Sequence, residues 1–377
     1  MPPASATRSC PDNQLAGEPE HVARLPTADS GADTPAVHIS VFGKTDLGRT
    51  RDHNEDTFLV ANLSAPSASL KPEVREHNLG PRGSLCVVAD GMGGAAAGEL
   101  ASAMAAEAIY EHMSTVWPTD NEASAQRFAY RMREALELAN HRIHAHAREN
   151  PDVRGMGTTA TVVGILGRHL YLAQVGDSRA YLIRRGKATQ LTKDQSLMQR
   201  LVDAGELTEE EAEDSQRRNI ILQALGPEPR ITVDLTYQDL RREDTLVLCS
   251  DGLSGQVKPE ELAEIVEAQP DPAQACSAMI DMANTRGGPD NITVVVVRLS
   301  GEGLAEADDS SPAGRKVFEL EGEDQVDTEE HAVVADAAEQ ELELVPEPVL
   351  SPRRSPFSFM WVGLILALLA IMLLVLR

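Results

Sequence analysis

The chain has 377 residues, with 59 acidic against 34 basic side chains, 42% hydrophobic residues and 3% aromatics. That length is ample for one large core, and a formal charge of −25 argues against nucleic acid as a partner, because phosphate-backbone binders present a basic face. Cys10, Cys86, Cys249 and Cys276 form no CxxC pair, which argues against a zinc knuckle or a disulfide framework and for reduced thiols.

In chain order, residues 1–37 are rich in Pro, Ser, Ala and Asp without either periodicity. They are expected to be a disordered extension, and without an apolar h-region no cleaved signal peptide is expected. Short β-rich runs follow at His38–Phe42, Thr57–Val60 and Leu85–Ala89. Two helical stretches come next, Gly98–Trp117 and Glu122–Glu149, with apolar spacings of three and four. Further strands are expected at Thr159–Ile165, His169–Val175, Ala180–Ile183, Thr245–Cys249 and Ile292–Leu299. Strands that come in adjacent pairs predict antiparallel sheets covered by helices, an α+β domain over residues 38–300.

Residues 301–350 hold 16 carboxylates against two basic residues, more than half of the net charge. Residues 301–356 are therefore expected to be a disordered acidic linker. From Phe357 to Leu376 there is no charge. About 20 apolar residues at a rise of about 1.5 Å match the roughly 30 Å hydrocarbon layer of a bilayer. A single C-terminal transmembrane helix is expected, acting as a tail anchor with everything before it cytoplasmic. Arg353 and Arg354 agree with the positive-inside rule.

The pattern that carries chemistry is an apolar strand ending in Asp and a turn residue. It occurs at Val87-Val88-Ala89-Asp90-Gly91 and Leu248-Cys249-Ser250-Asp251-Gly252. Related forms are Gln174-Val175-Gly176-Asp177-Ser178 and Gly287-Gly288-Pro289-Asp290-Asn291, the latter opening a Val-rich strand. One such Asp is ordinarily a cap or turn former. Four of them, costly to bury and without a matching set of Arg or Lys neighbours, point to divalent metal. Hard oxygen ligands without His or Cys select Mg²⁺ or Mn²⁺ over zinc, and Gly91 would let its carbonyl approach an ion. Arg51-Asp52-His53-Asn54-Glu55-Asp56 adds a cation and two further acids; read alone, it is equally a local surface ion pair. Together these segments have one chemical use. Two ions about 4 Å apart that share a carboxylate acidify a bridging water and stabilise an in-line displacement at phosphorus, and an arginine grips the phosphoryl oxygens.

Arg51-x-x-Asn-Glu-Asp56, Asp90-Gly-Met-Gly-Gly94, Gly155-Met-Gly-Thr-Thr159, Val175-Gly-Asp-Ser-Arg179, Ser250-Asp-Gly-Leu253 and Gly288-Pro-Asp-Asn-Ile-Thr293 together resemble the protein phosphatase 2C family. Their order and spacing are similar to its bacterial branch of serine/threonine phosphatases, over about residues 38–300. The resemblance implies a four-layer α-β-β-α sandwich, two antiparallel sheets flanked by helices, with metals in a cleft at one edge. Carried over motif by motif, Asp90 bridges two ions, Gly91 gives its carbonyl to one, and Asp251 and Asp290 hold the other. Asp90, Asp251 and Asp290 are thus the catalytic set. Glu55 and Asp56 act in or near the shell, partly through water, and Arg51 binds substrate phosphate. Asp177, with Asp251, matches a third-ion site of bacterial members. The cofactor implied is Mn²⁺ or Mg²⁺, two ions with a third at Asp177.

The activity implied is hydrolysis of phosphoserine and phosphothreonine on proteins by a metal-bridging hydroxide. Bacterial Ser/Thr kinases and their substrates would be the partners, and the cell inner membrane the location. Residues from about Asp194 to Leu225 correspond to a flap beside the cleft, with Gly205 and Glu206-Leu207-Thr208-Glu209-Glu210-Glu211 expected as a mobile acidic turn and short helix. Met92 stands where animal relatives place a His, so leaving-group protonation would fall to water or metal-bound water. Gln195 and Asp214-Ser215 replace an expected His and His-Pro, which separates flap specificity here from that of relatives.

Competing readings are weaker. Gly91-Met92-Gly93-Gly94-Ala95-Ala96 fits G-x-G-x-x-A, but no βαβ unit surrounds it and Asp90 would face the pyrophosphate. Gly155-Met156-Gly157-Thr158-Thr159 lacks a P-loop lysine and is read as tight packing at a strand start. His141-x-x-His144-x-His146 is read as a solvated helical face. The functional alternative to the enzyme is a catalytically silent relative that binds phosphoproteins and tethers them to the membrane.

Overall fold

The computed structural model describes residues 36–321 apart from 66, 70–74, 214, 216, 218 and 309. The expected apolar segment 357–376 and nearly all of the N-terminal extension lie outside the described residues. Among the described residues, fourteen strands form two antiparallel sheets. The six-stranded sheet runs in the order β10 (Lys187–Gln190), β9 (Arg179–Arg184), β12 (Thr245–Cys249), β13 (Ile292–Ser300), β1 (His38–Asp46) and β4 (Arg75–Asn78). The other runs β14 (Lys316–Val317), β11 (Asp234–Asp239), β8 (His169–Val175), β7 (Ala160–Leu166), β5 (Ser84–Met92), β2 (Asp56–Asn62) and β3 (Ser67–Ser69). The short β6 (Gly157–Thr158) pairs with the end of β5.

Alternation along each strand divides the core into three layers. In β13, Val295, Val297 and Leu299 face the other sheet, whereas Ile292, Val294 and Val296 face helices. In β5, Cys86 and Val88 join the layer between the sheets, while Leu85 and Val87 face α1 (Ala95–Thr115) and α2 (Ala125–Glu149). Strands covered on both faces read as unbroken apolar runs, which is why these stood out in the sequence. On the far side, α6 (Pro259–Ala268) and α7 (Pro272–Thr285) cover β9, β12 and β13, completing an α-β-β-α sandwich. Cys86, Cys249 and Cys276 are free and buried.

The helices α6 and α7 carry start signals the sequence reading passed over. Asp271 accepts a hydrogen bond from the Ala273 amide at 2.8 Å, and Pro272 occupies the first turn of α7. Two further short helices, α3 (Leu197–Asp203) and α4 (Glu209–Glu213), lie in the flap, and α5 (Asp251–Ser254) follows β12.

The chain does not leave the domain at residue 300. Leu304 is buried, the Ser311 carbonyl accepts from the buried Arg184, and β14 adds to the edge of β11. Phe318 is buried edge-on between Tyr171 and Tyr237, at centroid distances of 5.4 and 5.8 Å. The expectation of a disordered linker from residue 301 is corrected accordingly. Acidity averaged over residues 301–350 conceals the stretch 301–318, which holds both basic residues, Arg315 and Lys316, and the apolar anchors Leu304 and Phe318. A second unit begins at Glu321, the one residue of it that is described. Among the described residues, no helix is long and apolar enough to cross a membrane.

Candidate metal centre and active site

The site begins with a register. β2 and β5 pair so that Asp56 lies directly opposite Asp90, and opposed residues of an antiparallel pair share one face about 5 Å apart. Two carboxylates so placed repel unless a cation lies between them. Asp90 is fixed through its backbone: its amide donates to Thr159 Oγ1 at 3.0 Å, and its carbonyl accepts from the Thr159 amide and Thr158 Oγ1, both at 2.9 Å. The next residue, Gly91, donates to the Glu55 carbonyl at 3.1 Å, and a Cβ there would collide with the Gly98 carbonyl. Only glycine lets α1 and the Glu55 backbone close on this turn.

The second wall comes from β12 and β13. Ser250 Oγ donates to Asp56 Oδ2 at 2.7 Å and accepts from the Thr293 amide at 3.0 Å. Asp251 follows at the first turn of α5. A Cβ at Gly252 would run into the Asn291 carbonyl, so glycine again sets how closely the Asp251 and Asp290 segments approach. The buried Asn291 accepts from the Glu55 amide at 2.9 Å and donates to the carbonyls of Leu47 and His53 at 3.0 and 2.9 Å. It stitches the Arg51 loop to the start of β13. Asp290 accepts from the Asn291 amide and from Arg51 Nη2, both at 2.8 Å. Arg51 thus reaches the cleft, but here its guanidinium lies on Asp290.

Burial and the charge of neighbouring carboxylates act on Asp90, Asp56, Asp177 and Glu55. Asp90 is pushed well above the usual carboxylate range by burial, then by Asp56, Asp251, Asp177 and Asp290. Burial raises Asp56 to about 7, although Thr293 and Ser250 donate to it. Burial, followed by Asp251 and Asp194, raises Asp177 to about 8. Glu55 is raised by burial and Asp290, with Arg51 acting the other way. The four aspartates read from the sequence and the Glu55-Asp56 pair therefore share one electrostatic environment. Ser250, Thr293, Asn291 and Thr159 are the functional residues the sequence reading passed over. They lie inside the same motifs, and their role in holding ligands shows only once the strands are paired.

The donor set fits hard divalent cations. It consists of oxygens, it is strongly anionic, and Asp177 Oδ1 is buried without a hydrogen-bond partner among the described residues. Among the described residues no three His, Cys, Asp or Glu side chains close on a single point. Two of the carboxylates are engaged elsewhere, Asp56 by Ser250 and Asp290 by Arg51. The fit is one of charge, chemistry and proximity, with water left to complete each shell.

The flap is stitched to this floor at both ends. The Gln195 amide donates to the Gly176 carbonyl at 2.9 Å, and Thr158 and Leu225 exchange backbone hydrogen bonds at 3.0 and 2.8 Å. Gly205, at φ 71°, ends α3, and Thr208 with Glu211 caps the acidic helix α4. The expected solvated His face is corrected in part: His144 shares a hydrogen bond of 2.8 Å with the Gly226 carbonyl at the flap's end. The Gly157 backbone packs against the Leu225 carbonyl and Pro227, as a tight strand start requires.

Known proteins share this fold. The family model described as protein phosphatase 2C matches residues 76–287. This chain belongs to the protein phosphatase 2C family. It is an enzyme, a phosphoric monoester hydrolase of the protein phosphatase class. The chain is 35% identical over 255 residues to the serine/threonine phosphatase stp of Listeria welshimeri, covering 67% of this chain and 93% of that one. The crystal structure of the Mycobacterium tuberculosis serine/threonine phosphatase PstP/Ppp superposes with a TM-score of 0.59 at 35% identity, over 70% of this chain and 99% of that chain. A PstP catalytic domain in complex with two manganese ions matches at a TM-score of 0.57 and 33% identity, with coverage of 70% and 99%.

Proposed function

We propose that this protein phosphatase removes phosphate from phosphoserine and phosphothreonine on proteins, using Mn²⁺ or Mg²⁺, and that it opposes Ser/Thr kinases at a membrane. The observation that carries the reading is the opposed pair Asp56 and Asp90, joined by Asp251, Asp290 and Asp177 in one anionic cleft. Asp90 and the Gly91 carbonyl would hold one ion, Asp90, Asp251 and Asp290 a second, and Asp177 with Asp251 a third. Bound there, the ions supply Lewis acidity towards the phosphoryl oxygens and lower the pKa of water.

The protein's own residues supply the rest. Ser250 and Thr293 hold Asp56 in place, and Thr158 and Thr159 hold the Asp90 backbone. Arg51, half-exposed at the rim and held by Asp290 at 2.8 Å, would be free to grip the substrate phosphate were Asp290 to serve as a ligand. Met92 brings no proton donor to the end of β5, so the leaving alkoxide takes its proton from water.

The apolar stretch 357–376 supports the membrane part of the reading, with the catalytic domain on the cytoplasmic face of the inner membrane. Residues 322–356 separate the domain from that stretch along the sequence. Kinases in the same membrane and their neighbours would then be met at raised effective concentration. The test is turnover of p-nitrophenyl phosphate and of phosphoserine and phosphothreonine peptides, with Mn²⁺ and then with EDTA. Membrane fractionation of the full chain and of residues 1–321 completes it. Turnover indifferent to EDTA would sink the metal reading. No turnover at all would favour the silent tether.

A further inference from the structure

Gln174 and Gln195 bond Gly176, the residue before Asp177, and Gln223 braces Gln195. Gln195 Oε1 accepts from the Gly176 amide at 2.8 Å and from Gln223 Nε2 at 2.9 Å. The Gly176 carbonyl accepts from the Gln195 amide at 2.9 Å and from the side chain of the buried Gln174 at 3.1 Å. Gln223 in turn exchanges two hydrogen bonds with the backbone of Thr232, at 2.6 and 2.8 Å. The flap stem is thereby tied through side-chain amides to the peptide that carries Asp177.

Gly176 has no freedom to yield. Its φ is +105°, and a Cβ there would stand 2.6 Å from Thr159 Cγ2, whose hydroxyl is the acceptor for the Asp90 amide. A displacement of Gly176 therefore reaches both metal-facing aspartates, Asp177 directly and Asp90 through Thr159. Asp177 Oδ1 is buried and has no hydrogen-bond partner of its own among the described residues. Its backbone attachment is then what sets where it points.

We propose that Gln195, with Gln223, is a positioning residue that latches the flap stem onto Gly176 and so fixes Asp177 for its cation. This rests on the metal reading above and assigns a role to one of the flap positions that differ from the expected family pattern. The atom that matters is an acceptor: the Gly176 and Gln223 bonds both run into Gln195 Oε1 at 2.8 and 2.9 Å, while Gln195 Nε2 makes only a long hydrogen bond of 3.5 Å to the Thr232 carbonyl. Gln195→Met keeps the length and removes the acceptor, whereas Gln223→Met removes one donor and leaves the Gly176 bond.

The full chain is the material, and two readouts separate the possible failures. Amide hydrogen exchange is followed in EDTA-stripped protein. Gln195→Met should speed exchange at Gly176 at least tenfold, and Gln223→Met by less, with the β5 amides from Leu85 to Ala89 unchanged. Mn²⁺ titration by electron paramagnetic resonance is the second readout. The concentration that half-saturates the weakest ion should rise several-fold in Gln195→Met, and Gln195→Met should add nothing on an Asp177→Asn background. Unchanged exchange at Gly176 would overturn the latch. So would a loss of Mn²⁺ affinity that is equal with and without Asp177, because that is the behaviour of general loosening. Wild-type protein that binds no Mn²⁺ would overturn the metal reading, while the exchange measurement still decides the latch.

Discussion

Phe318→Ala tests whether the domain extends to residue 320. Phe318 is 7% exposed and packs edge-on against Tyr171 and Tyr237, and its amide donates to the Leu235 carbonyl at 2.9 Å. Removing a buried phenyl ring costs about 3–5 kcal/mol, and each aromatic pair adds about 0.5–1.5 kcal/mol within that figure. The strap lies at a sheet edge and can partly close over the gap, which favours the lower end, about 3 kcal/mol. For a domain of this size that corresponds to a fall in Tm of about 6–12 °C. Val317, its chain neighbour at the end of β14, is 58% exposed, so Val317→Ala should stay within about 0.5 kcal/mol. Urea and thermal unfolding of residues 36–321, followed by circular dichroism, measure both. A loss below about 1 kcal/mol for Phe318→Ala, or one equal to that of Val317→Ala, would show that the strap is not part of the core.

The site yields three further expectations. Asp251→Asn should abolish Mn²⁺-dependent turnover with little change in Tm; retained full activity would contradict its assignment as a ligand. Arg51→Ala should raise KM for phosphopeptide more than tenfold and change kcat by less, because a guanidinium grips phosphate in ground and transition states alike; a fall in kcat alone would count against that role. In EDTA-stripped protein, Asp56 and Asp177 titrate at about 7 and 8 when folded, above the 3.8 of an ordinary aspartate. Their folded pKa values are raised, so the stability they confer is complete below about pH 4 and is lost as pH rises through 7 to 8. The metal-free Tm should therefore fall between pH 5 and 8, and Mn²⁺ should raise it more at pH 8. A metal-free Tm that climbs over this range would refute the repulsion argument.

Much of the sandwich was legible because both sheets are covered on both faces. Strands such as β8, β12 and β13 appear as continuous apolar runs whose ends coincide with the motifs. The short edge strands β3, β10 and β14 carry no such run, since an edge strand needs only a partner. The flap was legible as an acidic, glycine-punctuated segment. Its attachment was not, because Gln195 and Gln223 reveal their partner only when the chain returns to Gly176.

What the sequence by itself determined is the chemistry: which carboxylates exist, that glycines flank them, and that no thiol or imidazole competes for a hard cation. Tertiary structure alone decided the geometry of that chemistry. It set Asp56 against Asp90 through strand register, turned Arg51 onto Asp290, and carried residues 301–320 back onto β11. Those outcomes depend on contacts between positions up to some 240 residues apart, such as Arg51 and Asp290, and local composition holds no record of them.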